Sequence, residues 1–74
     1  MKQYNYEIDY TRIKDLRLKN NLTQKNMAEY LNVSIAAYSQ FERMETLIPI
    51  ELLNKLANYY HVSLDYLYGK VKHP

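Results

Sequence analysis

The sequence of 74 residues contains no cysteine, no tryptophan, two prolines and one glycine. Without cysteine the chain can form neither a disulfide scaffold nor a thiolate zinc site. A domain of this size must then depend on one compact core, which favours packed helices. The single glycine, Gly69, argues against a turn-rich β-sandwich, because such a fold needs several residues with positive φ.

The chain also lacks long apolar runs and blocks of like charge. No apolar stretch approaches the ~20 residues that span a bilayer, and residues 1–7 have no signal-peptide pattern. Ten Lys and Arg against eight Asp and Glu give a formal net charge of +2, and no segment is a basic arm or an acidic tail. We therefore predict a cytoplasmic protein without a membrane partner.

The sequence offers little convergent chemistry for catalysis or for metal binding. Its two histidines, His61 and His73, lie far apart in a chain without cysteine, so we predict no metal site. The serines have no histidine or lysine placed as a base, and one glycine cannot form a Gly-rich phosphate loop. We predict that the protein is not an enzyme and needs no cofactor.

Tyrosine is in excess, with nine residues against one phenylalanine. A tyrosine can bury its ring while its hydroxyl stays in water, which suits the edge of a small core or an interface. Tyr38 and Tyr60 fall on predicted buried faces of helices. The sequence leaves four others open between the edge of the core and an interaction surface, namely Tyr30, Tyr59, Tyr66 and Tyr68.

The spacing of apolar residues predicts five short helices in one domain over residues 9–69. Residues 1–8 lack a helical period and are predicted to form an N-terminal arm, and residues 70–74 a C-terminal tail. The predicted helices run from the N-cap Asp9 to a stop at Asn20-Asn21, from Gln24 to Leu31, from Ile35 to about Arg43, from Pro49 to Tyr60 and from Leu64 to Tyr68. Each is at or below the ~12–15 residues that an isolated helix needs, so they must share one core.

The second and third predicted helices have the layout of a helix-turn-helix motif over residues 24–43. Ala28 is small where the two helices approach each other. Val33 is an apolar residue in the turn. The position before it, often glycine in this motif, is Asn32, the next most tolerant residue for a tight backbone. Leu31, Tyr38 and Phe41 supply the apolar contacts to the rest of the domain.

One ordered pattern runs along residues 10–69. It consists of Arg12-Ile13, Leu16-Arg17, Leu22-Thr23-Gln24, Ala28, Leu31, Val33-Ser34, Tyr38-Ser39, Glu42, Pro49, Leu56-Ala57, Tyr60, Val62-Ser63 and Asp65-Tyr66-Leu67-Tyr68-Gly69. In order and spacing this pattern resembles the phage-repressor helix-turn-helix family, also called Cro/CI-type or XRE. The resemblance implies a compact all-α bundle of five helices, of the lambda-repressor-like DNA-binding type.

The same resemblance implies a sequence-specific transcriptional regulator, in particular a repressor, that works as a homodimer on double-stranded DNA. The third helix is then expected to enter the major groove. The resemblance also implies that Arg17 and Glu42 form an ion pair inside the domain, and we favour that role over a contact with DNA, because an unpaired carboxylate in a core is costly.

The outer face of the third helix supplies the predicted base contacts. Gln40 has the side-chain amide that suits adenine, and Ile35 and Ala36 suit thymine methyl groups. The alternative for Ile35 and Ala36 is packing between helices, and the alternative for Ser39 and Gln40 is a solvated surface without a ligand. The full predicted base-reading set is Ile35, Ala36, Ser39 and Gln40.

Two helix N-termini supply most of the predicted phosphate contacts, because their free N–H groups and dipoles attract anions. The predicted phosphate-binding residues are Thr23, Gln24, Lys25, Ser34 and Arg43.

The third helix carries little positive charge for a DNA-binding element. From Ser34 to Glu42 it has one acidic residue and no basic one. Because phosphate neutralisation supplies much of protein–DNA affinity, we expect weak or partner-dependent DNA binding. The alternative is a protein-interaction module on the same fold, with weak or no DNA binding. An antitoxin, or an accessory factor of a phage or mobile element, would be such a module.

Overall fold

The computed structural model describes residues 8–70 and 72, which form five α-helices and no strand. The helices are α1 (Tyr10–Lys19), α2 (Gln24–Leu31), α3 (Ile35–Glu42), α4 (Ile50–Tyr60) and α5 (Leu64–Leu67). The predicted all-α fold with five helices is thereby confirmed. Three predicted ends shift slightly, because Arg43 and Tyr68 are C-caps of α3 and α5, and Pro49 is the N-cap of α4.

Short polar side chains start four of these helices by accepting hydrogen bonds from free backbone N–H groups. The caps are Asp9 for α1, Thr23 for α2, Ser34 for α3 and Ser63 for α5. In α2 the cap is reciprocal, since Asn26 N donates to Thr23 Oγ1 at 3.0 Å and Thr23 N donates to Asn26 Oδ1 at 2.9 Å. These caps fix where α2 and α3 begin, and so set the spacing of the helix-turn-helix.

Each of the five described helices is followed by a residue with positive φ, although the chain has one glycine. The next N–H then returns to a carbonyl of the last turn, as in Val33 N to Ala28 O at 2.9 Å and Glu45 N to Gln40 O at 2.9 Å. This is the Schellman arrangement. The positive-φ residues are Asn21 at 58°, Asn32 at 60°, Met44 at 62°, His61 at 58° and Gly69 at 76°.

The residue after each positive-φ position differs in a way that matters for the site. Leu22, Val33 and Val62 pack, partly buried, against the core, which is the apolar contact typical of this helix ending. Glu45 and Lys70 occupy the same position after α3 and α5 but are exposed. The end of α3 therefore has a carboxylate where three other helices place an apolar anchor.

One core joins all five described helices. Its most completely buried residues include Tyr38 from α3, and Leu53 and Leu56 from α4. Ile48, in the loop before α4, is also fully buried and was not predicted as a core residue.

The structure describes only part of the predicted N-terminal arm and C-terminal tail. Ile8, the last residue of the predicted arm, is buried and belongs to the core. Asp9 N donates to Leu67 O at 2.7 Å, which ties the start of α1 to α5. The remainder of the predicted arm and most of the predicted tail lie outside the described residues. Among the described helices, none has the length and hydropathy required to cross a membrane.

Candidate nucleic-acid interface

Helix α3 has one face buried in the domain and one face turned outward. Tyr38 is fully buried and Phe41 is 8% exposed. Ile35, the first residue of α3, is 49% exposed, so it does not serve as a core residue. Ala36 is also exposed, and Ser39 and Gln40 are half-buried. The structure thus brings the four predicted base-reading residues onto one accessible face.

The N-termini of α2 and α3 place two hydroxyl caps near the surface. Ser34 Oγ accepts a hydrogen bond from Ala37 N at 3.0 Å, and Thr23 Oγ1 accepts one from Asn26 N at 3.0 Å. A hydroxyl that accepts such a bond still has its own O–H to donate. Lys25, in the first turn of α2, is exposed. Each of these groups is therefore able to meet a phosphate.

The side chain of Gln24 is turned inward, away from the role predicted for it. Its Nε2 donates to Glu42 Oε1 at 3.1 Å, and the residue is half-buried. A phosphate contact through this amide would require that hydrogen bond to break. The backbone N–H of Gln24 lies in the first turn of α2, where N–H groups have no partner within the helix.

Arg17 and Glu42 form a buried ion pair between α1 and α3. Arg17 Nε donates to Glu42 Oε2 at 2.7 Å, and Arg17 Nη2 donates to Glu42 Oε1 at 3.0 Å. Only 9% of the arginine side chain and 3% of the glutamate side chain are exposed. Arg17 Nη1 also donates to Leu22 O at 2.9 Å, in the segment that leads into α2. This geometry holds the end of α3 against α1 and the start of α2.

The Glu42 carboxylate is further satisfied by Tyr38, whose hydroxyl donates to Glu42 Oε2 at 2.6 Å. Burial by itself raises the pKa of Glu42, but hydrogen bonds from Arg17, Tyr38 and Gln24 outweigh that effect and leave the pKa below its usual value. Burial, followed by the bond to Glu42, raises the pKa of Tyr38. The charge on Glu42 is thus maintained inside the domain by donors from three helices.

Tyr60 lies close to this network but does not share its hydrogen bonds. The residue is half-buried overall, and its hydroxyl is a buried oxygen without a hydrogen-bond partner among the described residues. Burial raises the pKa of Tyr60, and the neighbouring Tyr59 and Glu42 raise it further. Sequence periodicity predicted a core position for this ring, which does pack on the core. Periodicity contained no information about the hydroxyl.

Arg43, a predicted phosphate contact, is already engaged by two neighbours on the surface. Its Nε and Nη2 donate to the Glu45 carboxylate at 3.0 and 2.9 Å, and its Nη1 donates to Ser39 Oγ at 2.5 Å. About half of each charged side chain is exposed, 55% for Arg43 and 53% for Glu45. The sequence analysis did not select Glu45. The sequence did carry a signal for this pair, because a residue of opposite charge stands two positions after Arg43.

Comparisons with known proteins agree with this architecture. A family model described as "Helix-turn-helix" matches residues 13–67. The chain is 44% identical over 59 residues to the HTH-type transcriptional regulator ImmR of Bacillus subtilis (strain 168), covering 80% of this chain and 46% of that protein. It is 32% identical over 63 residues to the uncharacterized HTH-type transcriptional regulator YobD of the same organism, covering 85% and 56%. The chain spans about half the length of these curated relatives.

A solved structure shares the fold. The crystal structure of a transcriptional regulator from Listeria innocua superimposes with a TM-score of 0.75 at 30% sequence identity, covering 97% of this chain and 63% of that chain. The family model spans the motif helices and the helices that support them. The chain therefore belongs to the XRE-type helix-turn-helix family, the family that its ordered motif residues resemble.

Proposed function

We propose that the chain is a sequence-specific DNA-binding transcriptional regulator that places α3 in the major groove. The observation that carries this proposal is the two-sided character of α3. Tyr38 and Phe41 are buried, whereas Ile35, at the N-terminal end of α3, and Ala36, on its outward side, are exposed. Relatives with the same motif are named as transcriptional regulators.

The base contacts follow from the chemistry of the outward face. The Gln40 amide offers one donor and one acceptor, the pattern that adenine presents in the major groove. Ile35, with no place in the core, and Ala36 offer apolar contacts to thymine methyl groups. Ser39 contributes a hydroxyl that suits more than one base. A well-formed bidentate contact discriminates against the wrong base by about 1–3 kcal/mol.

The phosphate contacts position α3 over the groove. The N-termini of α2 and α3, capped by Thr23 and Ser34, face the backbone on this proposal, with Lys25 and Arg43 as the side-chain cations. Each neutralised phosphate makes the negative slope of log K against log salt concentration steeper by about 0.9. With few cations at this surface, we expect modest affinity and a correspondingly modest salt dependence.

The regulatory act on this proposal is occupancy of an operator, which represses by blocking polymerase and involves no chemical step. We further propose that the domain binds as a homodimer. The two recognition helices of such a pair lie about 34 Å apart, which is one turn of DNA. A protected region with two half-sites at that spacing supports the homodimer. A single half-site bound by one copy contradicts it.

The test begins with selection of bound duplexes from a random pool, followed by gel shifts at low and high salt. The parent is expected to enrich a defined site and to bind it less tightly as salt rises. Gln40→Ala should alter the preferred base at one position of each half-site. Asn54→Ala, which removes an exposed amide from α4, is the matched control and should leave preference intact. Equal preference in all three proteins contradicts the assignment of Gln40.

The second candidate function is a protein-interaction module on the same fold. Two exposed aromatic rings favour it, since Tyr30 and Tyr59 are 41% and 39% exposed and their ring centroids lie 4.7 Å apart. Tyr30 OH also donates to Lys55 O at 3.3 Å, which fixes the ring across α2 and α4. The same gel shift distinguishes the two functions. No binding to random duplex at low salt, together with a stable complex with another protein, supports the interaction module.

A further inference from the structure

We propose that Glu45 limits the DNA affinity of this domain by competing with phosphate for Arg43. The inference deepens the proposed function and depends on it. It identifies an affinity-limiting residue outside the predicted interface, at the start of the loop between α3 and α4.

The geometry of the pair is the first argument. Glu45 presents both carboxylate oxygens to the Nε and Nη2 edge of Arg43, at 3.0 and 2.9 Å. A phosphate with two oxygens would bind an arginine in the same forked manner. Glu45 therefore occupies the edge of Arg43 that phosphate would use, as an internal substitute for it.

The third nitrogen of the guanidinium extends the effect into α3. Arg43 Nη1 donates to Ser39 Oγ at 2.5 Å. A predicted phosphate contact and a predicted base contact are thus held together by one guanidinium in the free protein. When a phosphate replaces Glu45 as the partner of Arg43, the hydrogen bond from Arg43 Nη1 to Ser39 Oγ can break as well.

The position of Glu45 in the helix ending is the second argument. At the equivalent position after α1, α2 and α4 the chain places Leu22, Val33 and Val62, each partly buried against the core. Glu45 is exposed and makes no such contact. Packing at the end of α3 does not account for a glutamate there, whereas its bidentate pair with Arg43 gives the carboxylate a role.

The exposure of the pair sets the size of the effect. Roughly half of each side chain is open to water, and exposed ion pairs are weak. DNA phosphate can therefore displace Glu45, which lowers affinity without abolishing it. Removing the negative charge is expected to tighten DNA binding by about two- to fivefold. The slope of log K against log salt concentration should steepen by up to about 0.9, the value of one added phosphate contact.

The experiment compares the parent with Glu45→Gln on a random-sequence duplex and on the selected site. Glu45→Gln should bind both more tightly by the same factor, because phosphate contacts carry no sequence information. Asp15→Asn is the matched control, since it removes an exposed negative charge from α1. Asp15→Asn should raise the DNA affinity by a smaller factor than Glu45→Gln does. Thermal unfolding of each variant should match that of the parent and so establish that the fold is intact.

A double-mutant cycle separates competition for Arg43 from general repulsion of DNA. In an Arg43→Ala background the increase in DNA affinity from Glu45→Gln should fall to about the increase that Asp15→Asn gives. A gain that persists in full shows that Glu45 acts by repelling phosphate, and overturns the proposal. Unchanged or weaker binding by Glu45→Gln overturns it as well. If the parent binds neither duplex, the proposed function fails and this inference fails with it.

Discussion

Two glutamates near the end of α3 each bind one arginine through both carboxylate oxygens, yet they have different roles. Glu42 lies inside the domain with 3% of its side chain exposed, whereas Glu45 has 53% exposed. Glu42 also accepts hydrogen bonds from Tyr38 and Gln24. The buried pair therefore belongs to the fold, while the exposed pair belongs to the surface that we propose meets DNA.

The difference follows from the cost of separating the charges. A buried arginine left without its carboxylate cannot regain the hydration that it lost on folding, so breaking that pair is expensive. An exposed arginine without its carboxylate is simply solvated, and is available to another anion. An Arg–Glu pair thus stabilises the fold where it is buried, as Arg17–Glu42 is, and controls access to the arginine where it is exposed, as Arg43–Glu45 is.

The largest effect is expected from removing the buried carboxylate. Glu42→Ala leaves Arg17 charged and buried, and should lower the free energy of unfolding by about 3–5 kcal/mol. Urea unfolding followed by circular dichroism measures the change. Glu45→Ala is the control, and its free energy of unfolding should equal that of the parent. If Glu42→Ala leaves too little folded protein to measure, Glu42→Gln provides the milder test. A Glu42→Ala protein as stable as the parent would refute the stabilising role of the pair.

Acidification should weaken the same pair by a smaller amount, because a protonated carboxyl still accepts hydrogen bonds. The pKa of folded Glu42 lies below its usual value, and the pKa of an unfolded glutamate is about 4.3. The stabilisation is therefore complete above the unfolded value, and is lost as pH falls through the folded pKa. Urea unfolding at a series of acidic pH values detects the loss. Glu42→Gln should flatten the profile, and an equally steep profile in that variant would contradict the assignment.

Removing one hydroxyl from each of two neighbouring tyrosines should change stability in opposite directions. Tyr38→Phe deletes a donor to a buried carboxylate and should cost about 1.5–3 kcal/mol. Tyr60→Phe deletes a buried hydroxyl that has no hydrogen-bond partner in the part of the chain that the structure describes, and should stabilise the domain by up to about 1 kcal/mol. Thermal and urea unfolding of both variants make the comparison. Destabilisation by Tyr60→Phe would show that its hydroxyl is satisfied in solution.

The smallest effect concerns the backbone on the exposed side. Met44 has a φ of 62° and is 70% exposed, so its side chain contributes little packing to offset an unfavourable conformation. Met44→Gly should raise the free energy of unfolding by about 0.5–1 kcal/mol, after allowance for the greater freedom of glycine in the unfolded chain. Met44→Ala, which keeps the Cβ, is the control and should bring no gain. Equal stability of the two variants would show that the left-handed backbone is not strained here.

Local sequence signals predicted much of the fold because they act over a few residues. Asp9, Thr23, Ser34 and Ser63 cap helices where their short polar side chains predicted helix starts. Asparagine and glycine predicted three of the left-handed helix ends. Met44, which has a positive φ, was missed because methionine has no intrinsic preference for that backbone.

Side-chain partners were less predictable, since they depend on atoms far apart in sequence. Family resemblance implied that Arg17 pairs with Glu42, but gave no reason to turn Gln24 inward toward the same carboxylate. The predicted interface residues do share an outward face. Their availability, however, is set by contacts such as the one between Arg43 and Glu45.

The sequence by itself determined that this protein is a small helical domain with a helix-turn-helix, because caps, apolar spacing and motif order are local properties of the chain. Only the tertiary structure decided which further donors meet the buried carboxylate of Glu42, and that Glu45 stays exposed while it binds Arg43. Burial depends on how α1, α2 and α3 pack together. That packing distinguishes an arginine that holds the fold from one that is open to exchange with phosphate.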